Sequence, residues 1–245
     1  GLAMNHMRIE IRSGLGALLV LLLCVSLTSC AVNPATGKRQ VMLVSESQEI
    51  QIGQENDKVV VMQFGLYDDP ALQQYVSSVG HRLAAISERP HLDWSFRVLD
   101  DTLVNAFALP GGYIYLTRGI LAYFNSEAEM ASVLGHEIGH VTARHGANQM
   151  SKAQLAQVGL GATAVLTQGT NLQGVADLLG QGAGLLFLQF SRDDEPQADD
   201  LGLRYIVKDG YNPQPMGDVF LTLERVGEEQ GAPDAPTFMQ THPDP

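Results

Sequence analysis

The stretch 134-LGHEIGHVTARH-145 holds three histidines and one glutamate within ten residues. His136 and His140 are four positions apart. On a helix they therefore lie about 40° apart around the axis and one turn apart along it, where both imidazoles can bind one metal ion. Glu137 lies roughly 100° round from His136, so it is placed to reach a water molecule on the ion rather than the ion itself. The pattern predicts a catalytic zinc site rather than a polar helix face.

The third protein ligand of such a site has two alternative sources. One class of zinc peptidases continues the motif as H-E-x-x-H-x-x-G-x-x-H, which needs glycine at 143 and histidine at 146. The sequence has Ala143 and Gly146 instead. His145 misses that register by one position, and in a continued helix it would point away from His136. We interpret His145 as a surface or helix-end histidine favoured by the helix dipole, and not as a ligand.

The other alternative is a glutamate from a later helix, and the segment 191-SRDDEPQADDLG-202 offers one. Glu195 and Asp199 are spaced i, i+4 and share a helix face, and Pro196 is tolerated in a first helical turn. Glu195 would complete a set of two histidines and one carboxylate with an open fourth position. Asp199 could accept the far ring N–H of a ligand histidine. Taken alone, Glu195 and Asp199 would be interpreted as capping or solvated residues of an acidic helix start. Together with the H-E-x-x-H motif, the interpretation as metal-site residues is favoured.

The elements that must position these residues follow from periodicity and capping patterns. Ser45 with Gln48 begins a first helix, and Ser126 with Glu129 begins the helix that carries the metal motif. The other predicted elements are a helix over 71–87, strands over 94–100, 103–109 and 113–117, and helices near 194–209 and 214–230. We expect an α+β chain that is mainly helical, with a small, mostly antiparallel sheet.

The start of the chain has the pattern of an export signal. A short basic segment precedes the apolar run LGALLVLLLCVSL, which is too short to span a bilayer and ends at 27-LTSC-30. This ending resembles a bacterial lipobox with Cys30 as the lipidated residue; the alternative is an ordinary secretory signal. We predict a signal peptide over 1–29, in which residues 1–6 are an expression remnant or an upstream start. A lipidated Cys30 and tether over 30–44 and a single domain over 45–245 complete the prediction.

Composition limits the partners. The 245 residues are 45% hydrophobic and 17% charged, which is typical of a globular domain. The formal net charge of −12 argues against a nucleic-acid partner, because phosphate binding needs a basic surface. We expect no transmembrane helix in the mature chain, and membrane association through the lipid on Cys30 alone.

Six blocks of the mature chain resemble the HtpX/BepA-like family of zinc metallopeptidases, peptidase family 48 of the metallopeptidases. Within it they are most similar to the envelope proteases of the BepA, LoiP and YcaL type. The blocks, in chain order, are 33-NPATGKRQ-40, 105-NAFALPGGYIYLTRGIL-121, 126-SEAEMASVLGHEIGHVTARH-145, 190-FSRDDEPQADDLGLRY-205, 210-GYNP-213 and 241-THP-243. Ordered blocks are more specific than the five-residue motif alone. The resemblance implies a zincin-like fold of the gluzincin type, although Pro196 is unusual directly after the ligand position.

The resemblance also implies the roles of individual residues. His136, His140 and Glu195 would bind one zinc ion (Zn²⁺) per chain, with Glu137 as catalytic acid/base and Asp199 as proton donor or support for a ligand. The family's substrate-binding edge strand matches Asn105, Ala106, Phe107, Ala108, Gly111 and Gly112. An extended peptide would bind there by strand addition.

His242 stands in a Pro-flanked tail and has three interpretations. It could take the water position on the metal and keep the enzyme latent, it could stabilise the oxyanion, or it could be an ordinary tail histidine.

The expected function is zinc-dependent endopeptidase activity on envelope polypeptides, in outer-membrane or periplasmic quality control. The expected location is the cell envelope, lipid-anchored and facing the periplasm, with the outer membrane favoured. The alternatives are a gated protease-chaperone or assembly factor with little intrinsic proteolysis, and a lipid-anchored zinc-binding protein without turnover.

Overall fold

The computed structural model describes residues 30–168 and 190–230, together with Phe238 and His242. The predicted signal peptide over 1–29 lies outside the described residues, as do the neighbours of His242 in its block. Within the described part of the chain, no helix combines the length and the hydropathy needed to cross a membrane.

Helices predominate among the described elements, as the sequence predicts. In chain order the elements are β1 (Cys30–Val32), β2 (Arg39–Val41), α1 (Glu46–Phe64), α2 (Pro70–Ala85), β3 (Ser95–Leu99), β4 (Ala106–Leu109), β5 (Tyr113–Thr117), α3 (Arg118–Leu121), α4 (Glu127–Thr142), α5 (His145–Gln168), α6 (Glu195–Lys208) and α7 (Gln214–Gln230). The helices and strands predicted from periodicity appear within a few residues of the expected bounds. The α+β, mainly helical class is confirmed.

The three-stranded sheet has the order β3-β5-β4 and is mixed rather than antiparallel as expected. Strand β4 pairs with β5 antiparallel through the hairpin at Pro110–Gly112, whereas β3 pairs with β5 in parallel. All five residues of β5 are buried, which fits a central strand covered on both faces. Periodicity reports which faces of a strand are buried and does not report which neighbours it pairs with, so strand order was not predictable from these segments.

Two capping patterns were predicted, and the structure realises them differently. Ser45 and Gln48 form the full capping box: the Gln48 N–H donates to Ser45 Oγ, and the Ser45 N–H donates to Gln48 Oε1. At the start of α4 the Glu129 N–H donates to Ser126 Oγ. The Glu129 carboxylate accepts from the backbone N–H of Asn125 at 2.7 Å, one residue before the cap. Both arrangements satisfy N–H groups that a helix start leaves without partners.

Helix α4 lies at the centre of the fold, and every residue from Glu129 to Thr142 is buried. It packs most extensively against α6, and glycines allow the two backbones to approach closely. A Cβ atom on Gly139 would lie 2.8 Å from the carbonyl oxygen of Ala198, and one on Gly202 would lie 2.8 Å from the backbone nitrogen of His136. This close approach sets the distance between the motif on α4 and the acidic residues on α6.

Residues 30–44, predicted to be a tether, have regular structure and pack on the body. They form a hairpin in which β1 pairs antiparallel with β2. The side chain of Asn33 donates from Nδ2 to the carbonyl oxygen of Ala143 at the end of α4. Met42 and Val44 are buried in a small apolar cluster with residues of α5. The segment packs on the body because it carries both a buried polar anchor and apolar side chains, which a count of turn-forming residues does not reveal.

Candidate metal centre

Four buried side chains converge at the middle of α4. One potential ligand atom from each of His136, His140, Glu195 and His242 lies within 4.8 Å of all the others. The Nε2 atoms of His136 and His140 are 2.9 Å apart. The Glu195 carboxylate reaches both rings, with Oε2 3.3 Å from His136 Nε2 and Oε1 3.7 Å from His140 Nε2. The structure thus brings together the three predicted ligands and adds His242 to the group.

Glu195 reaches the histidines from the first turn of α6. Asp194 is the N-cap residue and Pro196 occupies the first turn, where its missing N–H is harmless. The Asp194 carboxylate accepts from the backbone N–H and hydroxyl of Ser191, so it holds the preceding turn rather than capping the helix. The side chain of Asp200 is 72% exposed and pairs with Arg204.

Asp199 lies one turn beyond Glu195, and its Oδ1 is 2.8 Å from Nδ1 of His136. Burial opposes protonation of His136, but the hydrogen bonds to Asp199 and Glu195 raise its pKa to about 10. Burial lowers the pKa of His140 well below its usual value. Two facing imidazoles therefore differ sharply in proton affinity, and the one beside Asp199 is the more basic.

The carboxyl of Glu195 is also perturbed. Burial opposes its ionisation, yet the nearby imidazoles of His136, His140 and His242 hold its pKa well below the usual range. The lowered pKa favours the carboxylate form of Glu195, which brings a negative charge to the centre.

Glu137 is fully buried, and neither carboxylate oxygen has a hydrogen-bond partner among the described residues. Its Oε1 lies 3.3 Å from Nε2 of His242, which is ion-pair distance without hydrogen-bond geometry. Oε1 of Glu195 is orphaned in the same way. Buried carboxylate oxygens without partners are costly. The site therefore fits a divalent ion such as zinc with a water molecule, because two imidazoles and a carboxylate converge there beside the unpaired carboxylate of Glu137.

His145 was predicted to lie at the surface, and the structure corrects this. Its ring is buried, with Nδ1 2.9 Å from Nδ1 of His140 and Nε2 2.8 Å from Oε1 of Gln197. Burial lowers its pKa. The helix does not continue as assumed, because α4 ends at Thr142 and Arg144 adopts a left-handed φ of 60°. The chain turns there, and His145 faces the far nitrogen of His140 rather than the point where the four ligand atoms meet.

Aromatic rings cover the centre. Phe190 stacks on His140 with ring centroids 3.8 Å apart, and Phe238 stacks on His242 at 4.5 Å. A cavity of only about 10 Å³ lies between His140, Phe190 and Pro110. Among the described residues this space is about large enough for one water molecule.

The predicted substrate strand forms one edge of the sheet as β4. Asn105, with Ala106 and Phe107 after it, leads into this strand, and Gly111 and Gly112 form the turn with φ of 85° and 104°. Phe107 is buried against Tyr115, whereas Ala108 is partly exposed. The Phe238 N–H donates to the carbonyl oxygen of Val104, so Phe238 meets the beginning of this edge.

The sequence pattern gave no role to several residues around the centre. Phe190 stacks on His140, Gln197 contacts His145, and Asn33 contacts Gln197. All three belong to residue types that are common in loops and cores. The one available signal for these three residues was their place in the blocks quoted above. Their contacts depend on chain segments that are far apart in sequence.

The family model described as Peptidase family M48 matches residues 70–245, which include all five of the predicted ligand and catalytic positions and His242. The chain belongs to peptidase family M48. The predicted resemblance is thereby confirmed. M48 relatives include the beta-barrel assembly-enhancing protease of Yersinia pestis, which is 32% identical over 218 residues, 86% of this chain and 44% of the relative.

Other M48 relatives give the same picture. The protein of the same name from Escherichia coli (strain K12) is 31% identical over 218 residues, again 86% of this chain and 44% of the relative. Mitochondrial metalloendopeptidase OMA1 of Schizosaccharomyces pombe is 31% identical over 215 residues, 86% of this chain and 61% of the relative. The chain thus spans less than half the length of the two bacterial relatives.

Proposed function

We propose that this M48 chain is a zinc-dependent endopeptidase in which His136, His140 and Glu195 bind the metal. The observation that carries the proposal is the buried group of ligand atoms within 4.8 Å of one another, next to the unpaired carboxylate of Glu137. A closed structural zinc site would not need a further buried carboxylate, whereas a hydrolytic site needs a base beside the metal. The names of the relatives, which are proteases and a metalloendopeptidase, support the same class of reaction.

In this proposal Glu137 is the general base and acid. Its carboxylate accepts the proton of the attacking water and delivers it to the leaving amine. The metal ion, when bound, supplies the Lewis acidity that polarises the scissile carbonyl. Asp199 accepts the Nδ1–H of His136 and so orients the ring, and a bound metal would replace the proton on Nε2. The aromatic cover excludes bulk water and strengthens electrostatic interactions inside the site.

The peptide substrate would lie along β4. The Thr117 N–H donates to the Asn105 carbonyl, so the backbone groups of Asn105 point towards β5. In an antiparallel pair every second residue is hydrogen-bonded to the neighbouring strand, so those of Phe107 point towards β5 as well. Ala106 and Ala108 therefore direct theirs to the outer edge. An extended peptide can add to that edge by main-chain hydrogen bonds, in the way that strand addition works elsewhere.

His242 favours a second, gated version of this function. Its Nδ1 is 3.3 Å from Glu195 Oε2 and its Nε2 is 3.3 Å from Glu137 Oε1, so the ring lies between the proposed ligand and the proposed base. We infer that His242 takes the fourth ligand position in a latent state. The alternative function is a gated protease-chaperone or assembly factor with little intrinsic proteolysis.

The proposed setting is the bacterial cell envelope, with envelope polypeptides as substrates in protein quality control. Support comes from the name of the bacterial relatives, beta-barrel assembly-enhancing protease, and from the lipobox-like 27-LTSC-30. In this proposal a lipid on Cys30 anchors the chain to the membrane, and the body faces the periplasm.

Cleavage of an unfolded protein such as casein tests the activity. We expect Glu137→Gln to reduce cleavage by about 10²–10⁴-fold, and a chelator to abolish it. Glu55→Gln, the same change at an exposed position of α1, is the matched control and should cleave like the wild type. Cleavage that survives Glu137→Gln would refute the mechanism.

The gate is tested with His242→Ala in the same assay. Faster cleavage by this variant supports latency. A zinc-loaded wild type and His242→Ala that are both inactive on every unfolded substrate would favour the assembly-factor alternative.

A further inference from the structure

Each proposed ligand histidine has one ring nitrogen turned away from the other ligand atoms, and each of these nitrogens has a partner. Nδ1 of His136 faces the carboxylate of Asp199 at 2.8 Å. Nδ1 of His140 faces Nδ1 of His145 at 2.9 Å. The second partner is thus a histidine, which can donate or accept a hydrogen bond depending on where its proton lies.

The direction of the hydrogen bonds follows from the geometry. Nε2 of His140 points to His136 and Glu195, so a ligand role requires a lone pair there and places the ring proton on Nδ1. That Nδ1–H must donate to His145, so Nδ1 of His145 must be an acceptor. A neutral imidazole with an acceptor Nδ1 carries its proton on Nε2.

The outer end of this chain has a matching acceptor. Nε2 of His145 lies 2.8 Å from Oε1 of Gln197, and an amide oxygen can only accept. Asn33 Nδ2 also approaches this oxygen, at 3.4 Å, while donating to the Ala143 carbonyl at 3.1 Å. Asn33 therefore supports Gln197 as the acceptor and ties the N-terminal hairpin to the end of α4.

Helix α6 thereby supports both ligand histidines. Asp199 holds His136 directly, and Gln197, two positions earlier on the same helix, holds His140 through His145. In this assignment each hydrogen bond has one donor and one acceptor: His140 Nδ1–H donates to His145 Nδ1, and His145 Nε2–H donates to Gln197 Oε1. No other assignment satisfies all these atoms while leaving Nε2 of His140 free to ligate.

We propose that His145 is a positioning residue for His140, acting in a buried His140–His145–Gln197 hydrogen-bond chain that orients the ligand ring and keeps its Nε2 unprotonated. This rests on the proposed metal site. It gives His145, which is not a ligand, and the Asn33 block a function in metal binding.

The experiment measures zinc affinity by competition with a chelating dye, for the whole chain and with zinc alone as the probe. We expect His145→Leu, which keeps the bulk and removes the acceptor, to weaken zinc binding by about 10–100-fold. His145→Asn places an amide oxygen near the position of Nδ1 and should recover most of that loss. His91→Leu is the matched control, because His91 is 58% exposed and lies outside the chain of hydrogen bonds, and it should bind zinc like the wild type.

A second variant and a second readout guard against misfolding. Gln197→Leu, at a partly exposed position of α6, should weaken zinc binding in the same direction, and Gln197→Glu should retain it because an acceptor remains. In the zinc-bound wild type, ¹H–¹⁵N spectra of the histidine rings should show the His145 proton on Nε2. If the role of His145 were purely structural, His145→Leu would change the melting temperature of the metal-free protein. The His145 proton of the wild type would then not need to lie on Nε2.

The outcomes separate the two proposals. A wild type that binds no zinc refutes the proposed function. Wild-type affinity in both His145→Leu and Gln197→Leu refutes the positioning role alone, as would a His145 proton on Nδ1. Equal loss in His145→Asn and His145→Leu would show that the acceptor is not what matters, and would also overturn the proposal.

Discussion

Gly202→Ala tests whether the close contact between α4 and α6 holds the metal centre together. A Cβ atom at this position would meet three backbone atoms of α4: the His136 nitrogen at 2.8 Å, the Gly135 carbonyl carbon at 2.9 Å and the His136 Cα at 3.1 Å. Backbone atoms of a buried helix cannot rotate away as a flexible side chain does. The two helices must therefore separate.

The size of the effect follows from these distances. Ordinary van der Waals contact begins at 3.4 Å, so the shortest contact must lengthen by 0.6 Å, which is 3.4 minus 2.8. Overpacking of this kind costs about 1–3 kcal/mol. The better helix propensity of alanine offsets about 0.5–1 kcal/mol of that cost. We expect a net destabilisation of about 1–2 kcal/mol, which lowers the melting temperature by about 2–8 °C in a chain of this size.

The same separation should weaken zinc binding. Glu195 is on α6 and His136 and His140 are on α4, and ligand geometry must be held to within about 0.5 Å. Gly217→Ala is the matched control, because an added Cβ there meets nothing within 4 Å in an exposed part of α7. It should stabilise the protein by about 0.5–1 kcal/mol through helix propensity alone.

Thermal unfolding should show a lower melting temperature for Gly202→Ala and a higher one for Gly217→Ala. Zinc titration should show weaker binding for Gly202→Ala. The reasoning is refuted if Gly202→Ala melts at or above the wild-type temperature and binds zinc equally well. Destabilisation by Gly217→Ala would show that helix propensity does not operate here as assumed.

Three further changes have expected outcomes. Chelating the metal should remove about 2.7 kcal/mol of stabilisation relative to a sample with free zinc at about a hundred times its Kd. Differential scanning calorimetry should record this as a fall in melting temperature of about 5–10 °C. An unchanged melting temperature would contradict a metal site. Glu49→Gln breaks a buried ion pair at 2.8 Å with Arg144 and should cost about 3–5 kcal/mol in urea denaturation, and a cost near zero would be a contradiction. Hydrogen bonds from Tyr211 and Tyr75 lower the pKa of Glu127, so its contribution is present above about pH 4.5 and is lost as pH falls through the lowered pKa. The wild type should lose its advantage over Glu127→Gln in that range, by at most about 1 kcal/mol because the carboxyl is partly exposed, and parallel pH profiles would contradict this.

Local patterns predicted much of the architecture. Ser45 with Gln48 and the apolar period around the H-E-x-x-H motif depend on neighbours within one or two helical turns, so the sequence contains the information needed to place α1 and α4. The choice of Glu195 depended on its spacing from Asp199 and on Pro196 at a helix start, which are again local features. The structure brings the ligand atoms of these residues within 4.8 Å of one another.

The prediction for His145 was wrong because it extended a local rule past a break in the helix. Its position depends on the left-handed backbone of Arg144, which is held by a side-chain ion pair with Glu49, 95 positions earlier. Strand order, the packing of the N-terminal hairpin and the place of His242 depend on pairings of the same long range.

The sequence by itself therefore determined the helices, the spacing of His136 and His140 on one face, and the family. These are properties of hydrogen bonding and side-chain period within a single segment. Only the tertiary structure decided that Glu195 stands within reach of both histidines, that His145 and Gln197 support His140, and that aromatic rings close the site. These relations depend on how closely α4 and α6 approach each other and on which distant segments pack over them. Both are determined by the packing of segments that are far apart in the sequence.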